Sequence, residues 1–308
     1  MERILAGATG LIGQYLVTEW LKQGKKITVI GRSKEKMQRV FHGQVQALTW
    51  DELTTDTFRQ AEVVINLAGE SLGAKRWTAD RKRAILDSRT KTTAILAKLL
   101  APLGKKAPRW FNASAASIYG LQSEFSGLPP RFDGAVDLNE DTSSDFLSLV
   151  AKEWEQAAKP AVDQGVPIVF LRFAVVLSKT GGALPRLIMP FHFFLGGPLG
   201  TGNQPFCWIM REDVIRVMDF LLAHPDISGP VDIVAPNCVS QQEFVQIVGK
   251  ILHRPTFFAM PGWLLRLLLG EMAEELLLRG QYVYPKRLLD KGFTFTYPEL
   301  EPALRAIL

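Results

Sequence analysis

Short apolar runs alternate with longer amphipathic segments over the first two-thirds of the chain. Most of these runs are apolar throughout, which is typical of a parallel sheet that is covered on both faces. They predict strands at Arg3–Ala6, Ile27–Ile30, Val45–Leu48, Val63–Leu67, Trp110–Ala113 and Ile168–Arg172. The segments between them have helical periodicity, and they predict helices at Ile12–Leu21, Lys34–Val40, Thr78–Leu100 and Ser144–Asp163. Alternating units of this kind predict an α/β fold with a doubly wound parallel sheet.

The pattern changes after Leu177. We expect residues 1–180 to form the sheet domain, to which a later strand or helix could return. Residues 181–308 would form a smaller α+β lobe on the substrate side, with a C-terminal extension at about 250–298. The elements predicted here are an apolar Gly/Pro-rich loop from Gly181 to Pro205, a helix at Glu212–Leu222, a strand at Val231–Ala235 and a helix at Gln241–Leu252.

Two apolar segments raise the question of a membrane. Residues 187–210 contain no Asp, Glu, Lys or Arg, but prolines and glycines interrupt them and predict a loop. The Leu-rich segment Trp263–Leu278 could be a core-facing helix or an interfacial membrane helix. Anchors of the second kind have a Lys/Arg-rich polar face, whereas this segment carries Glu271, Glu274 and Glu275. We therefore predict a core-facing amphipathic helix and no membrane contact.

Composition narrows the class of protein. The 308 residues are 47% hydrophobic and 22% charged, which is typical of globular proteins and excludes a disordered chain. Cys207 and Cys238 form no CxxC pair and the four histidines are scattered, so we expect reduced thiols and no metal site. The first predicted strand leaves no room for a leader sequence, which favours a cytoplasmic location.

The net charge of +5 is mild, and basic residues cluster at Arg76–Arg83. Such a cluster could contact nucleic acid, but no aromatic stacking platform accompanies it. We interpret it as a solvated helix face and expect no nucleic-acid partner.

The strongest motif is Gly7-Ala8-Thr9-Gly10-Leu11-Ile12-Gly13, which follows a predicted strand and opens a predicted helix. Gly7 permits a tight turn, Gly10 permits close approach of a pyrophosphate, and Gly13 permits close packing of the helix on the sheet. The free N–H groups at the start of the helix would point at the anion. We call this segment the phosphate loop and predict a Rossmann-type dinucleotide site.

The end of the second predicted strand indicates which dinucleotide is bound. Enzymes that use NAD usually place Asp or Glu there to hold the ribose 2′-hydroxyl, but this chain has Gly31-Arg32-Ser33. A guanidinium suits a 2′-phosphate. We therefore predict NADP(H), unless Arg32 only caps the next helix.

The GxxGxxG spacing resembles the extended, epimerase-like branch of the short-chain dehydrogenase/reductase superfamily. Further motifs along nearly the whole chain resemble its atypical "epimerase family protein" (SDR39U1-like) group, which has a C-terminal extension of the DUF1731 type. These motifs are Leu48–Leu53, Asn66–Glu70, Ser88–Thr93, Asp145–Leu147, Trp154–Glu155, Arg172, Leu195–Gly202, Trp208–Ile209, Leu252–Pro255, Leu268–Glu271 and Pro285–Leu288.

The resemblance implies NADP(H) binding and extends the predicted cofactor site. Arg89 and the turn of Leu67 and Ala68 would contact the cofactor, and Gly69, Glu70, Ser114 and Arg172 complete the predicted set. Two alternatives stay open at this point. Arg89 could form an ion pair on the helix surface, and Glu70 could be a solvated loop residue.

Typical members of the superfamily use Ser or Thr, Tyr and Lys, with the Tyr and Lys at i and i+4 on one helix face. Ser114 fits the Ser position, unless it only bonds the backbone at the end of its strand. By the resemblance, Leu147 and Ala151 occupy the Tyr and Lys positions, and Lys152 is rotated by about 100° around the helix. Tyr119 is either a displaced acid or a residue for packing or substrate stacking.

Two functions remain open. The first is an epimerase-like oxidoreductase in which Ser114 polarises a carbonyl group and Tyr119, Glu70 or water moves the proton. The second is a non-catalytic NADP(H) sensor or interaction module, because the Tyr/Lys pair is missing. We expect a monomer or weak homodimer, with an unknown small-molecule substrate walled by the loop Pro190–Gly200 and by Trp208.

Overall fold

A computed structural model of the chain describes residues 2–125, 130–134 and 145–308. The strands are β1 (Glu2–Ala6), β2 (Lys26–Gly31), β3 (Gln46–Thr49), β4 (Ala61–Asn66), β5 (Arg109–Ala115), β6 (Ile168–Phe173), β7 (Val175–Leu177), β8 (Pro205–Phe206), β9 (Trp208–Met210), β10 (Gly229–Ile233) and β11 (Val239–Ser240). The helices are α1 (Leu11–Lys22), α2 (Lys34–Val40), α3 (Thr55–Phe58), α4 (Ala79–Leu100), α5 (Phe146–Gln156), α6 (Lys159–Val162), α7 (Leu184–His192), α8 (Arg211–Ala223), α9 (Gln241–Leu252), α10 (Gly262–Leu269), α11 (Glu271–Ala273), α12 (Lys286–Asp290) and α13 (Leu300–Arg305).

The main sheet has seven parallel strands in the order β10-β6-β5-β4-β1-β2-β3. The predicted doubly wound Rossmann-type sheet is therefore confirmed, and the six strands predicted before Leu177 all lie in it. Strands β2 and β3 follow β1 on one side of it in the sheet, whereas β4 lies on its other side, so the strand order reverses at β1. This reversal opens a crevice at the carboxyl ends of β1 and β4, where folds of this kind bind ligands.

Apolar residues cover both faces of the sheet, as the unbroken apolar strands require. One face packs against Leu16, Val17 and Trp20 of α1. The other face packs against Leu96 and Leu100 of α4. The segment predicted as one helix, Ser144–Asp163, is divided into α5 and α6. Its first residue, Ser144, lies outside the described residues.

The C-terminal lobe contains two small sheets, a parallel pair β7–β9 and an antiparallel pair β8–β11. Strand β10 returns to the main sheet beside β6, as the sequence interpretation allowed. The lobe has its own apolar core, in which Phe191 of α7, Trp208 of β9 and Phe244 of α9 are buried together. None of the helices in the described part of the chain combines the length and the apolar character needed to span a bilayer.

Two predictions for this lobe are wrong. Helix α7 lies inside the predicted loop Gly181–Pro205, and Pro185 occupies its first turn, where a missing N–H costs no helical hydrogen bond. The segment Trp263–Leu278 is not one core-facing helix. Gly270, with φ of +65°, ends α10, and α10 buries only Leu265.

The prediction of reduced thiols is also wrong, because Cys207 and Cys238 form a disulfide with a Cα–Cα distance of 4.5 Å. Antiparallel pairing of β8 with β11 sets Phe206 opposite Val239. This register brings together two cysteines that are distant in sequence. The cytoplasmic location expected from the sequence stays a prediction.

Candidate functional site

The phosphate loop lies at the crevice between β1 and β4. Gly7 follows β1 with φ of +77°, a conformation that favours glycine. A Cβ atom on Gly7 would lie 2.5 Å from the carbonyl carbon of Leu67, and one on Gly13 would lie 2.6 Å from the carbonyl oxygen of Gly7. A Cβ atom on Gly10 would meet only that same oxygen, at 3.3 Å. Gly7 and Gly13 therefore permit the internal packing of the loop, whereas Gly10 keeps its outer side open.

Helix α1 begins at Leu11, within the phosphate loop. Gly10 is its N-cap and provides no side chain to bond the first amides. The amides of the first turn have no partner within a helix, and the helix dipole is positive at this end. Leu11, Ile12 and Gly13 form this first turn. Together with Ala8 and Thr9, they offer a backbone surface that suits an anion such as a pyrophosphate.

Arg32, directly after β2, meets the turn that follows β4. Its side chain is 87% exposed, and its Nη1 lies 3.5 Å from Oε1 of Glu70. Arg81 of α4 binds the other oxygen of Glu70 at 3.1 Å. Two guanidinium groups thus converge on one carboxylate beside the loop. Gly31 permits the close approach of Met37, whose sulfur would lie 2.7 Å from an added Cβ atom.

The turn from Asn66 to Glu70 is held from beneath by side chains of neighbouring elements. The Asn66 amide nitrogen donates to Oδ1 of Asn112 at 2.9 Å and to the hydroxyl of Thr93 at 3.1 Å. The Asn66 side-chain oxygen accepts from the backbone N–H of Ala68 at 3.2 Å. The N–H of Glu70 donates to the hydroxyl of Ser88 at 2.9 Å. These bonds fix the backbone of Leu67, Ala68 and Gly69 beside the phosphate loop.

Arg89 of α4 lies directly under this turn. An added Cβ atom on Gly69 would approach the Arg89 guanidinium carbon to 3.1 Å, and that carbon lies 5.1 Å from the centre of the Trp154 ring. Its Nη1 donates to the carbonyl of Ile85 at 3.0 Å. Burial and the charge of Arg81 lower the pKa of Arg89 to about 10. Arg89 is buried and forms no ion pair among the described residues, so the alternative of a surface ion pair is wrong. An anionic ligand would supply the counter-charge that this buried cation lacks.

Ser114, Tyr119 and Arg172 lie together, but in a closed buried network. The Ser114 hydroxyl donates to Oε1 of Glu155 at 2.6 Å. Arg172 donates to both oxygens of Glu155, at 2.8 and 2.9 Å, and to the Tyr119 hydroxyl at 3.0 Å. The Tyr119 hydroxyl donates in turn to Asp232 at 3.0 Å. Ser114 and Arg172 are each only 2% exposed, so their predicted contacts with substrate and cofactor would require the network to open.

Burial dominates the titration behaviour of this network. Burial and the negative charge of Asp232 raise the pKa of Tyr119. Burial and the nearby Asp133 raise the pKa of Asp232 well above its ordinary value. Burial alone would lower the pKa of Arg172, but the hydrogen bonds and charge of Glu155 raise it. Tyr119 therefore keeps its proton and Arg172 keeps its charge at neutral pH.

Helix α5 turns its apolar side toward this network. Leu147 is 7% exposed and Ala151 is fully buried, so both face the interior. Lys152 is only partly buried. The hydroxyl of Ser117 donates to the carbonyl of Leu147 at 3.0 Å, which ties α5 to the end of β5. The positions that the resemblance assigns to Tyr and Lys therefore contribute no titrating group here.

A surface cavity of about 420 Å³ lies beside the start of α1. It is lined by Leu11, Gln14, Tyr15, Thr18, Thr180, Gly181 and Arg211. The guanidinium of Arg211 lies 4.0 Å from the centre of the Tyr15 ring. Trp208, in contrast, is fully buried in the C-terminal core, and its indole N–H donates to the carbonyl of Asn237 at 2.9 Å. The prediction that Trp208 walls the substrate pocket is wrong.

Three residues of these networks were not predicted from the sequence as site residues. Arg81 lies in the basic cluster that we interpreted as solvated, yet its side chain is only 14% exposed. Glu155 belongs to a Trp-Glu motif that carried the resemblance without a role. Asp232 lies in a strand in which no pattern marks it, because its partners come from distant parts of the chain.

Residues 4–234 match the model of the NAD dependent epimerase/dehydratase family, and residues 260–307 match a domain of unknown function, DUF1731. The chain is 33% identical to the epimerase family protein YfhF of Bacillus subtilis, over 100% of this chain and 98% of that protein.

Solved structures show the same likeness. Human epimerase family protein SDR39U1, crystallised with NADPH, superposes with a TM-score of 0.86 at 29% identity, over 100% of this chain and 99% of the human one. A nucleoside-diphosphate sugar epimerase from Corynebacterium glutamicum superposes with a TM-score of 0.72 at 27% identity, over 99% of this chain and 57% of that one. With its seven-stranded parallel sheet and phosphate loop, the chain belongs to the NAD dependent epimerase/dehydratase family.

Proposed function

We propose that the chain binds NADP(H) in the crevice between β1 and β4 and acts on a small molecule as an epimerase-like oxidoreductase. The observation that carries the proposal is the position of Arg32 directly after β2. Its exposed guanidinium lies 3.5 Å from the carboxylate of Glu70, in the turn that follows β4. A 2′-phosphate carries more negative charge than that carboxylate and has three acceptor oxygens, two of which a guanidinium can bind bidentately. The crystal of the human relative with NADPH supports this choice of cofactor.

Each part of the crevice suits one part of the cofactor. The phosphate loop would hold the pyrophosphate, because Gly10 leaves its outer side open and the first amides of α1 face it. The backbone of Leu67 to Glu70 would line the adenine and ribose side, with the buried cation Arg89 beneath it. The bound nicotinamide would supply or accept the hydride.

The proton in such a reaction must come from a group other than a Tyr/Lys pair. The Ser114 proton is held by Glu155 at 2.6 Å, so Ser114 polarises a substrate carbonyl only if this proton turns away from Glu155. Tyr119 retains its proton because burial raises its pKa. The relative from C. glutamicum is described as a nucleoside-diphosphate sugar epimerase, which makes nucleotide sugars the first substrates to test.

The second candidate function is a non-catalytic module that responds to NADP(H). The observation that favours it is the closed network. The hydroxyl groups of Ser114 and Tyr119 both donate to buried carboxylates, so neither proton is directed at a substrate. This function predicts protein partners that change with the redox state of the cofactor. Pull-downs from a lysate test this function in the presence of NADP⁺, of NADPH and of no cofactor. The same set of bound proteins under all three conditions would exclude it.

The cofactor is tested by titrating the purified protein with NADPH and NADH, following tryptophan fluorescence and melting temperature. We expect tight binding of NADPH over NADH. Arg32→Glu should weaken NADPH binding by at least about ten- to a hundredfold, because it removes a charge-assisted bond and places a negative charge beside the 2′-phosphate. It should not weaken NADH binding, because a carboxylate at this position can hold the ribose 2′-hydroxyl. Arg39→Glu, an exposed arginine on α2, is the matched control. A response to neither nucleotide would refute the cofactor, and absence of turnover with nucleotide sugars and other carbonyl compounds would refute the reaction.

A further inference from the structure

The C-terminal lobe exposes an unusual number of large apolar side chains on two segments. Phe193, Phe194 and Leu195, after α7, are 69%, 53% and 56% exposed, and Phe257, Trp263 and Leu267, on and before α10, are 75%, 65% and 66% exposed. We call these six side chains the apolar face. Single exposed apolar residues are ordinary on protein surfaces, but a contiguous group marks an interaction site.

The two segments form one surface because their backbones are bonded to each other. The N–H of Phe258 donates to the carbonyl of Gly196 at 3.1 Å, and the N–H of Gly200 donates to the carbonyl of Met260 at 2.9 Å. Gly197 is packed so tightly that an added Cβ atom would lie 2.1 Å from the carbonyl oxygen of Phe258. Helix α10 continues from this pairing and adds Trp263 and Leu267 to the surface.

The surroundings of the apolar face are basic. Residues 181–210 and 253–270 contain no Asp or Glu, and they carry Arg186, Arg254 and Arg266. The Arg254 guanidinium lies 4.4 Å from the centre of the Phe194 ring. Arg186 donates to the carbonyl of Gly73. An added Cβ atom on Gly270, at the end of α10, would lie 3.6 Å from the guanidinium nitrogens of Arg76, so the loop after β4 brings a further cation beside α10.

The nearest acids offset only part of this positive charge. Glu271 is paired with Lys82 at 2.8 Å. Glu274 is shared between Arg266 and Arg279, at 2.7 and 2.8 Å. The face therefore combines exposed aromatic and leucine side chains with an excess of positive charge.

We propose that the apolar face docks on an anionic phospholipid surface. Aromatic and leucine side chains that enter the interface, surrounded by Lys and Arg that meet acidic headgroups, are what such binding requires. A second copy of the chain suits the face less well. A symmetric pair would set each basic surround against its own image, and like charges across an interface are costly.

This proposal departs from the expectation of no membrane contact. That expectation rested on the acids of Trp263–Leu278 and on the lack of a Lys/Arg-rich polar face in this segment. In the fold, Glu271 pairs with Lys82, Glu275 accepts from the first amides of α5, and Glu274 neutralises only part of the charge of Arg266 and Arg279. Further cations come from α7, from Arg254 and from the loop after β4. A linear sequence does not show such a combination.

Vesicle flotation of the full-length protein tests the proposal. We expect binding to vesicles of phosphatidylglycerol and phosphatidylcholine, little binding to phosphatidylcholine alone, and loss of binding in 1 M salt, where the screening length falls to about 3 Å. Brominated lipids provide a second readout. They should quench Trp263, which is 65% exposed, and spare Trp20, Trp110 and Trp208, which are fully buried.

Phe257→Ser combined with Trp263→Ser should reduce the affinity for vesicles about tenfold or more, because two large apolar contacts are lost. Val162→Ser, which removes a 41% exposed apolar side chain from α6, is the matched control and should bind as the unaltered protein does. Melting temperature and circular dichroism verify that the variants fold. The quenching experiment uses the unaltered protein, so it tests the proposal even if a variant fails to fold.

Three results would overturn the proposal. The unaltered protein could fail to bind anionic vesicles, or the double variant could bind them equally well. Light scattering could instead show a dimer that the same two substitutions dissociate, in which case a second copy covers the face.

Discussion

Arg172 and Glu155 form an ion pair inside the sheet domain, with side chains that are 3% and 2% exposed. Glu155→Leu would leave the guanidinium buried without a counter-charge, at a cost of about 3–5 kcal/mol in the free energy of unfolding. Adding Arg172→Met removes that charge and should recover most of the loss. Urea unfolding of both variants measures the difference. A double variant less stable than Glu155→Leu would contradict this account and show that Arg172 stabilises the fold through contacts other than Glu155, such as its bond to Tyr119.

Asp232 should give the folded protein an unusual pH dependence. Burial and Asp133 raise its pKa well above the ordinary 3.8. Between the unfolded and the folded pKa, the folded state binds more protons, so the free energy of unfolding falls as pH rises through this window. Asp232→Asn supplies the N–H that the protonated acid would donate to Asp133 and does not titrate. At pH 8 the variant should be at least as stable as the unaltered protein. Urea unfolding at several pH values should show that its free energy of unfolding depends less on pH.

Asp213 is the matched control, because it is also fully buried. Its two oxygens accept from the N–H groups of Thr296 and Tyr297, each at 2.9 Å. Asp213→Asn would turn amide hydrogens toward one of these donors and remove the negative charge that lies 3.0 Å from Nη1 of Arg216, so it should cost about 1–3 kcal/mol at pH 8. Equal losses at positions 232 and 213 would contradict the account of Asp232.

Within the first helical element, Gly10 and Gly13 should separate ligand binding from stability. A Cβ atom on Gly10 meets only the carbonyl oxygen of Gly7, at 3.3 Å, whereas one on Gly13 meets Gly7 and Ala8 at 2.6 to 2.8 Å. Gly10→Ala should therefore weaken NADPH binding with little change in melting temperature. Gly13→Ala should lower the melting temperature clearly. Titration and thermal unfolding of both variants check this, and unimpaired NADPH binding by Gly10→Ala would refute a pyrophosphate at Gly10.

Helix α5 receives its N-terminal cap from the C-terminal extension. The Glu275 carboxylate accepts from the N–H groups of Phe146 and Leu147, at 2.9 and 2.8 Å, while Asp145 at the N-cap position makes no side-chain cap. Glu275→Ala should cost about 1–2 kcal/mol and speed hydrogen exchange at the start of α5. Glu274→Ala, a neighbour that pairs only with surface arginines, should leave that exchange unchanged. Faster exchange at the start of α5 in Glu274→Ala but not in Glu275→Ala would contradict the role of Glu275 as the cap.

The sequence predicted the elements of the main sheet well, because unbroken apolar strands and periodic helices report burial directly. It failed where contacts are non-local. Helix α7 was missed since prolines outweighed its periodicity, and α10 was assigned to a core although it buries only Leu265. The phosphate loop and Arg32 could be singled out from the sequence because local chemistry defines them, and their contacts with the cofactor stay predictions. Arg81 was missed because the turn after β4 brings Glu70 to it. The Cys207–Cys238 disulfide was missed because the pairing of β8 with β11 brings the two cysteines together.

At the scale of the whole molecule, the C-terminal extension is part of the structure of the sheet domain. Leu288, Phe293 and Phe295 lie in the same buried cluster as the α1 face of the sheet, and Arg287 donates to the carbonyl of Pro230 in β10. Glu275 adds the cap of α5 at the other face. The two matched regions, 4–234 and 260–307, therefore share one core.

This shared core predicts that a chain ending at residue 259 does not fold stably. Removing the extension would expose the apolar residues beneath Leu288, Phe293 and Phe295 and leave the first amides of α5 without a partner. Each large side chain lost from a core costs about 2–5 kcal/mol, and the sum approaches the whole stability of a typical domain. We expect the truncated chain to be rapidly proteolysed and to lack a cooperative thermal transition, under conditions in which the full chain shows one. A truncated chain that unfolds cooperatively and binds NADPH would instead show that the extension is an independent module.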